Sequence, residues 1–200
     1  MAVALRLGCS VCVPHSCRCG LHGQGLHGLV SKQAPSRIIR HHALNDVVAR
    51  AIQSAGTPVT KEAVGLTRQD GKRPDGFTLI PWQEGKPLTW DVTVVSTLAA
   101  SYLSSSVRSA GAPADLAASR KEAKYTSLTN SNIFQPIAVE SRGSFSVSSL
   151  SFLTTLGERL TGTSGDLCEM SYLFQRLSVI VQHFNSVLIH ESFVSELHIH

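Results

Sequence analysis

The chain has 200 residues, of which 42% are hydrophobic and 16% are charged. This composition supports one domain with a hydrophobic core and excludes a chain that is disordered throughout. The formal net charge of +4 mildly favours an acidic partner such as nucleic acid. No apolar run approaches the roughly 18 residues of a membrane span, and the short apolar N-terminus lacks a signal-peptide cleavage site, so we expect neither membrane insertion nor secretion.

The N-terminal segment, residues 1–36, is rich in potential zinc ligands. Most of the cysteines lie between Cys9 and Cys19, and histidines follow among glycines. Clustered Cys and His residues indicate a reduced compartment and a metal rather than a disulfide framework. Zinc prefers four thiolate or imidazole ligands, and Cys17, Cys19 and His27 are good candidates. The fourth ligand stays open among three groups: Cys12, His15 and His41. The alternative is an unmetallated Gly/Cys/His tail.

A helix is predicted next. Apolar residues recur at helical spacing from Leu44 to Ile52, and Gly56-Thr57-Pro58 ends the pattern. The opposite face is basic, which usually means only that it is solvated, but such a face can also meet phosphates. The residues on it are Arg37, Arg40, His41 and Arg50.

Three strands are predicted after this helix. The first runs from Val59 to Leu66 and contains Glu62, and two further runs on either side of a turn at 82–87 predict a hairpin. The hairpin carries Asp75 and Asp91. Asp75 alone is typical of a turn, since it lies in Pro-Asp-Gly. Asp91 interrupts an apolar strand, where an acid is costly to bury without a partner. Two acids on adjacent strands would form a site for a divalent cation.

The rest of the chain is mainly helical. A helix is predicted from Asp115 to Leu128, with Asp115 as its N-cap. A strand follows from Phe134 to Glu140, and Pro136 favours the edge of a sheet. Two apolar stripes predict a pair of core-packed helices over residues 143–189, and residues 190–200 show no pattern, so we expect a disordered tail. Residues 37–142 thus predict an α/β core.

The acids and the lysines of the helix that follows them suit phosphodiester hydrolysis. A metal ion lowers the pKa of a water molecule and shields the anionic transition state, and oxygen ligands suit Mg²⁺. Asp75 and Asp91 are the predicted Mg²⁺ ligands, with Glu62 as an additional acid. Lys121 and Lys124 share a helix face and are the predicted catalytic lysines, although such a face is more often simply solvated.

These residues resemble the PD-(D/E)xK restriction-like endonucleases, whose αβββαβ core has the element order predicted here. Pro74-Asp75 and Asp91 carry the resemblance. In that family the lysine lies two residues after the second acid, where this chain has Thr93. The resemblance therefore implies that a displaced lysine, Lys121 or Lys124, takes its role.

The displaced lysine makes the chain similar to the C-terminal endonuclease of site-specific non-LTR retrotransposons. The shared motifs are a Cys/His knuckle, an Arg-His pair, an Arg-Pro-Asp, a strand Asp and a Lys-Tyr pair. They stand here at Cys17, Cys19 and His27, Arg40-His41, Arg73-Pro74-Asp75, Asp91, and Lys124-Tyr125. The similarity extends from about Leu5 to Asn185.

This resemblance implies a nuclear domain, cytoplasmic before import, that nicks DNA with Mg²⁺ and carries a structural zinc. Its partners would be DNA, element RNA and a reverse transcriptase lying upstream, and Arg73 and Arg120 would add phosphate contacts. Such elements carry a cysteine where this chain has Val30-Ser31, which leaves the fourth zinc ligand open and fits a degenerate copy. The alternatives are a nucleic-acid-binding module without catalysis and a non-functional retroelement fragment.

Overall fold

The structure is a computed structural model that describes residues 3–4, 7, 9, 15–17, 22–23, 26–31, 34–62, 64–67 and 71–193. Near the N-terminus, β1 (His15–Ser16) and β2 (His22–Gly23) pair antiparallel, and a 3-10 helix spans Leu26–Leu29.

The main body consists of a four-stranded sheet and the helices around it. The strands are β3 (Val59–Lys61), β4 (Gly76–Thr78), β5 (Leu88–Val95) and β6 (Ile133–Glu140). The helices are α1 (Ser36–Ser54), α2 (Leu103–Ser106), α3 (Ala112–Lys124), α4 (Val147–Ser164) and α5 (Glu169–Ser192). None of the helices in the described part of the chain is both long and apolar enough to cross a membrane.

The sheet has the order β3-β4-β5-β6, with the first two pairings antiparallel and the last parallel. The chain from β5 to β6 passes through α2 and α3, as a parallel pairing requires. The α/β class and the predicted hairpin are confirmed. Pro136 lies on β6, an edge strand, where its missing N–H costs no pairing on the open side.

Helices cover both faces of the sheet. Because side chains alternate along a strand, Leu88, Trp90 and Val92 of β5 face the core built with α1, α4 and α5. Val95 faces the other way, onto the alanines of α3. Asp91 is one residue from Trp90 and therefore belongs to the α3 face. The apolar stripe of α1 is buried as predicted.

The predicted start of α3 is wrong. The helix begins at Ala112, because Gly111 adopts a φ of +90° at its N-cap and Pro113 fits the first turn. The cap comes from β6, since the Glu140 carboxylate accepts the Gly111 N–H at 2.8 Å. Asp115 instead accepts the N–H of Val147, in the first turn of α4, at 2.8 Å.

Three other predicted boundaries also move. Helix α3 ends at Lys124 rather than at Leu128, and a separate 3-10 helix spans Thr126–Leu128. β3 ends at Lys61, because Glu62 turns the chain with a φ of +54°. The predicted tail begins too early, since α5 continues through Ser192. Leu188 and Ile189 are buried there against Leu29 of the N-terminal 3-10 helix, so apolar packing prolongs the helix. Residues 194–200 lie outside the described part.

Trp90 fixes how α1, β4 and β5 meet. Its ring is completely buried, and its Nε1–H donates to Asn45 Oδ1 at 2.8 Å. The Asn45 amide donates in turn to the Asp75 carbonyl at 3.2 Å. The ring lies directly over Gly76, where a Cβ would be 1.9 Å from Cζ2. Only glycine permits this approach.

We predict that Gly76→Ala lowers the free energy of unfolding by about 3 kcal/mol, because the methyl group would displace a fully buried ring. Urea denaturation measures the change. Gly162→Ala is the matched control, since a Cβ at that helical position would meet no described atom within 4 Å apart from the helix's own neighbouring backbone. It should stabilise the protein by about 0.5–1 kcal/mol. Equal stability of Gly76→Ala and the parent would contradict the packing described here.

Candidate active site

Asp75 lies at the point where β4 and β5 separate. Its backbone N–H still donates to the Trp90 carbonyl at 3.0 Å. Two residues further along β5, the Val92 N–H donates to Oδ2 of the Asp75 side chain at 2.6 Å instead of to a backbone carbonyl. The other carboxylate oxygen, Oδ1, accepts from His41 Nε2 at 3.0 Å. The side chain therefore takes over where strand pairing stops.

Asp91 is the more deeply buried acid. Its side chain is only 4% exposed, and Oδ1 accepts from Lys121 Nζ at 2.6 Å. Burial raises the pKa of Asp91, and the negative charge of Asp75 raises it further, whereas Lys121 and a hydrogen bond with Tyr125 favour the charged form. The two acids are thus close enough to repel each other, which is the electrostatic condition under which a bound cation is favoured.

The two candidate lysines of α3 contact different partners. Ala117 and Ala118 pack on the sheet, and Lys121, three to four residues later, lies on the same side of the helix. This places its ammonium group at Asp91. Lys124 is one turn further on, and its Nζ lies 2.9 Å from the Tyr125 hydroxyl and 4.4 Å from that ring centroid.

Tyr125 ties the end of α3 to the chain before β4. Its ring is buried, and its hydroxyl donates to the Arg73 carbonyl at 3.1 Å. Asp91 is a second acceptor for this hydroxyl, whose single proton is shared between the carbonyl and the carboxylate. In the sequence, Tyr125 stands out only as part of the Lys-Tyr pair. The structure makes it a link between both acid-bearing segments.

His41 lies at the acid pair, although the sequence placed it on a basic, solvent-facing side of α1. The hydrogen bond with Asp75 raises the pKa of His41, and burial opposes this shift, while the charges of Asp75 and Asp91 add to it. Asn45 lies one helical turn later and also contacts Asp75. The i,i+4 spacing of His41 and Asn45 was the available signal that this face of α1 meets the acid.

Glu62 lies beside the acids without joining them. Its backbone N–H donates to the Asp75 carbonyl at 3.1 Å. Its carboxylate, however, turns away and pairs with the Arg73 guanidinium, and both side chains are exposed. In this arrangement neither the predicted ligand Glu62 nor the predicted phosphate contact Arg73 points at the acid pair.

The remaining basic candidates differ in exposure. Arg37 is half-buried on α1, and its Nη1 donates to the Ser31 carbonyl at 3.3 Å. Arg50 is exposed on α1, and Arg120 is exposed on α3 with its guanidinium 5.1 Å from the centroid of the Tyr102 ring. Arg40 is not on a solvated face, because only 2% of it is exposed and its Nη1 donates to Asn185 of α5 at 2.9 Å. Helix α5 covers Arg40, which therefore does not belong to a solvated face, and its contact with phosphate stays a prediction.

The predicted zinc ligands fall partly outside the described residues, as Cys12 and Cys19 do. Cys17 is buried and forms an isolated antiparallel bridge with Phe193, and His27 lies in the N-terminal 3-10 helix. Within the described ranges, no three His, Cys, Asp or Glu side chains are grouped to hold a metal ion. Zinc stays a prediction.

The acid pair fits magnesium by its donor chemistry. Mg²⁺ is commonly held by one or two carboxylates and keeps several water molecules, so it does not need three protein ligands. Asp75 and Asp91 offer two carboxylates, and the repulsion that raises the pKa of Asp91 is what a cation would relieve. These two side chains would hold the ion.

No family model matches the chain, and a search of the curated proteins finds no match. The function must therefore be inferred from the residues and their geometry.

We predict that Asp91→Asn unfolds at a higher temperature than the parent protein at neutral pH. Folding raises the pKa of Asp91, so the folded state carries a cost for the ionised carboxylate that an amide avoids. This cost is complete above the raised folded pKa and disappears as the pH falls through it towards the unfolded value. The advantage of the variant should therefore shrink on acidification.

Thermal denaturation between about pH 4 and pH 7 covers the carboxyl range. Asp46→Asn is the control, because Asp46 is exposed and pairs with Lys61 at the surface. It should give no comparable gain. A stabilisation by Asp91→Asn that grows towards low pH would show that the sign of the shift is wrong.

Proposed function

We propose that the chain is a divalent-metal-dependent endonuclease domain that nicks DNA, of the kind found at the C-terminus of site-specific non-LTR retrotransposons. The observation that carries the proposal is the convergence of Asp75, Asp91 and Lys121 where β4 and β5 separate. In this proposal α1, β3 to β5, α3 and β6 correspond to the αβββαβ core of the restriction-like endonucleases.

The proposed roles follow from the contacts. Mg²⁺ held by Asp75 and Asp91 would supply an activated water and shield negative charge on the phosphate. Lys121 favours the ionised form of Asp91. Its side chain remains 26% exposed, so its other N–H groups can reach a phosphate oxygen. His41 and the Val92 N–H hold the Asp75 carboxylate in a fixed orientation.

A lysine from α3 can serve because of the direction of the strand side chains. Thr93 lies two residues after Asp91, on the same side of β5. Lys121 and Thr93 border one cleft. The ammonium group of Lys121 therefore lies in the region that the side chain of a lysine at position 93 would reach. This supports Lys121 over Lys124 as the catalytic lysine.

We predict that Asp75→Asn and Asp91→Asn each reduce Mg²⁺-dependent nicking of supercoiled plasmid by at least about a hundredfold, while DNA binding persists. Lys121→Ala should lose about a hundredfold as well. Lys124→Ala is its matched control on the same helix and should stay near the parent rate. Nicking by both aspartate variants at the parent rate would refute the assignment.

A binding module without catalysis is the second candidate. It is favoured by the hydrogen bonds from the protein itself that already engage both oxygens of Asp75. It predicts DNA binding that weakens steeply with salt, without nicking at any Mg²⁺ concentration. Absence of DNA binding at low salt would exclude both candidates and leave a non-functional fragment. Element RNA, an upstream reverse transcriptase, a zinc knuckle and a nuclear location belong to the proposal.

A further inference from the structure

A basic cleft adjoins the acid pair. It has a volume of about 430 Å³ and lies between the first turns of α1, the β5 edge at Val92–Val94, and Lys121. Its titratable lining residues are all basic: Arg37, Arg40, His41 and Lys121. Two of them, His41 and Lys121, also hold the acids. The cleft and the acid pair therefore share a wall.

Arg40 is a buried cation that forms no ion pair with a carboxylate of the described residues. Its Nη1 donates to Asn185 Oδ1 at 2.9 Å, and the Asn185 amide donates to the Ser141 carbonyl at 2.5 Å. Its Nε finds no hydrogen-bond acceptor among the described residues. Within the same ranges, the ion pairs formed by carboxylates involve His41, Lys61, Arg73 and Lys121 rather than Arg40. The hydrogen-bond partner that fixes Arg40 is therefore the neutral amide of Asn185.

This arrangement has an energetic cost. Burial and, to a smaller extent, the positive charge of Arg37 lower the pKa of Arg40 to about 10, so the group stays charged at neutral pH. A buried charge without a counter-ion is unfavourable. The first turn of α1 adds the positive end of a helix dipole on the same side. An anion in the cleft would offset all three contributions.

We propose that this cleft binds a phosphate group, and, resting on the proposed function, that the group belongs to the DNA strand next to the phosphodiester held at the acid pair. Arg40 supplies a guanidinium that Asn185 holds in place. Arg37 lines the same cleft and supplies a second guanidinium. Guanidinium groups suit phosphate because several N–H donors lie in one plane. A phosphate bound here would set the position of the backbone relative to Asp75 and Asp91.

The test is DNA binding without metal. Fluorescence anisotropy of a labelled duplex in EDTA gives the affinity over a range of NaCl concentrations. Arg37→Gln and Arg40→Gln should each weaken binding and reduce the slope of log affinity against log salt by about 1, as expected for one lost phosphate contact. Arg108→Gln is the control, since Arg108 is exposed in the loop between α2 and α3 and lies outside the cleft. It should leave the slope unchanged.

A second measurement distinguishes the source of the phosphate. Inorganic phosphate, compared with chloride at equal ionic strength, should raise the unfolding temperature of the parent more than that of Arg37→Gln. If this difference appears while the DNA slopes stay unchanged, the cleft binds free phosphate and the DNA assignment is overturned. If neither measurement separates the cleft variants from Arg108→Gln, the phosphate site itself is overturned.

These results are independent of nuclease activity. Arg37 is only half-buried, whereas Arg40 is fully buried, so Arg37→Gln tests the site even if Arg40→Gln fails to fold. Loss of metal-free DNA binding in the cleft variants, with a parent protein that never nicks DNA, would uphold the phosphate site and refute the nuclease. Nicking that depends on Asp91, with unchanged DNA binding by the cleft variants, would uphold the nuclease and refute the phosphate site.

Discussion

The hydrogen bond from the Val92 N–H to the Asp75 carboxylate is the contact on which the site depends. Backbone pairing between β4 and β5 stops at Trp90. Beyond that point, the Asp75 side chain accepts the Val92 N–H in place of a backbone carbonyl. Since the same carboxylate accepts from His41, it also joins α1 to the sheet. The buried pair of Trp90 and Asn45 holds the two layers in this register.

The fold buries two charged groups of opposite sign, each close to a group of its own sign. Asp91 is buried near another acid, and Arg40 is buried near another arginine. Each would be stabilised by a ligand of the opposite sign, a cation for one and an anion for the other. In the proposed function, a phosphodiester with its metal ion would supply both charges. Without such a ligand, the folded protein carries the energetic cost of burying each group near another of the same charge. This is a common compromise between stability and function.

Local pattern was enough to predict the α/β class, the helix around Leu44 and the hairpin with its two acids, because each depends on side-chain periodicity. The start of α3 was missed since its cap is Glu140, a residue that follows the helix in the chain. Periodicity could not distinguish Lys121 from Lys124, which share a face within one turn. The burial of Arg40 depends on Asn185, and no local signal reports a partner so far away.

The contacts that complete the first turns of α1 come from the far end of the chain. Ser36 donates to Glu191, which is 155 residues later, and Arg40 finds Asn185 at a separation of 145 residues. During synthesis, α1 and the acid-bearing hairpin therefore leave the ribosome well before the helix that positions Arg40. A nascent chain can form the sheet first, but its basic cleft takes shape only when translation reaches α5.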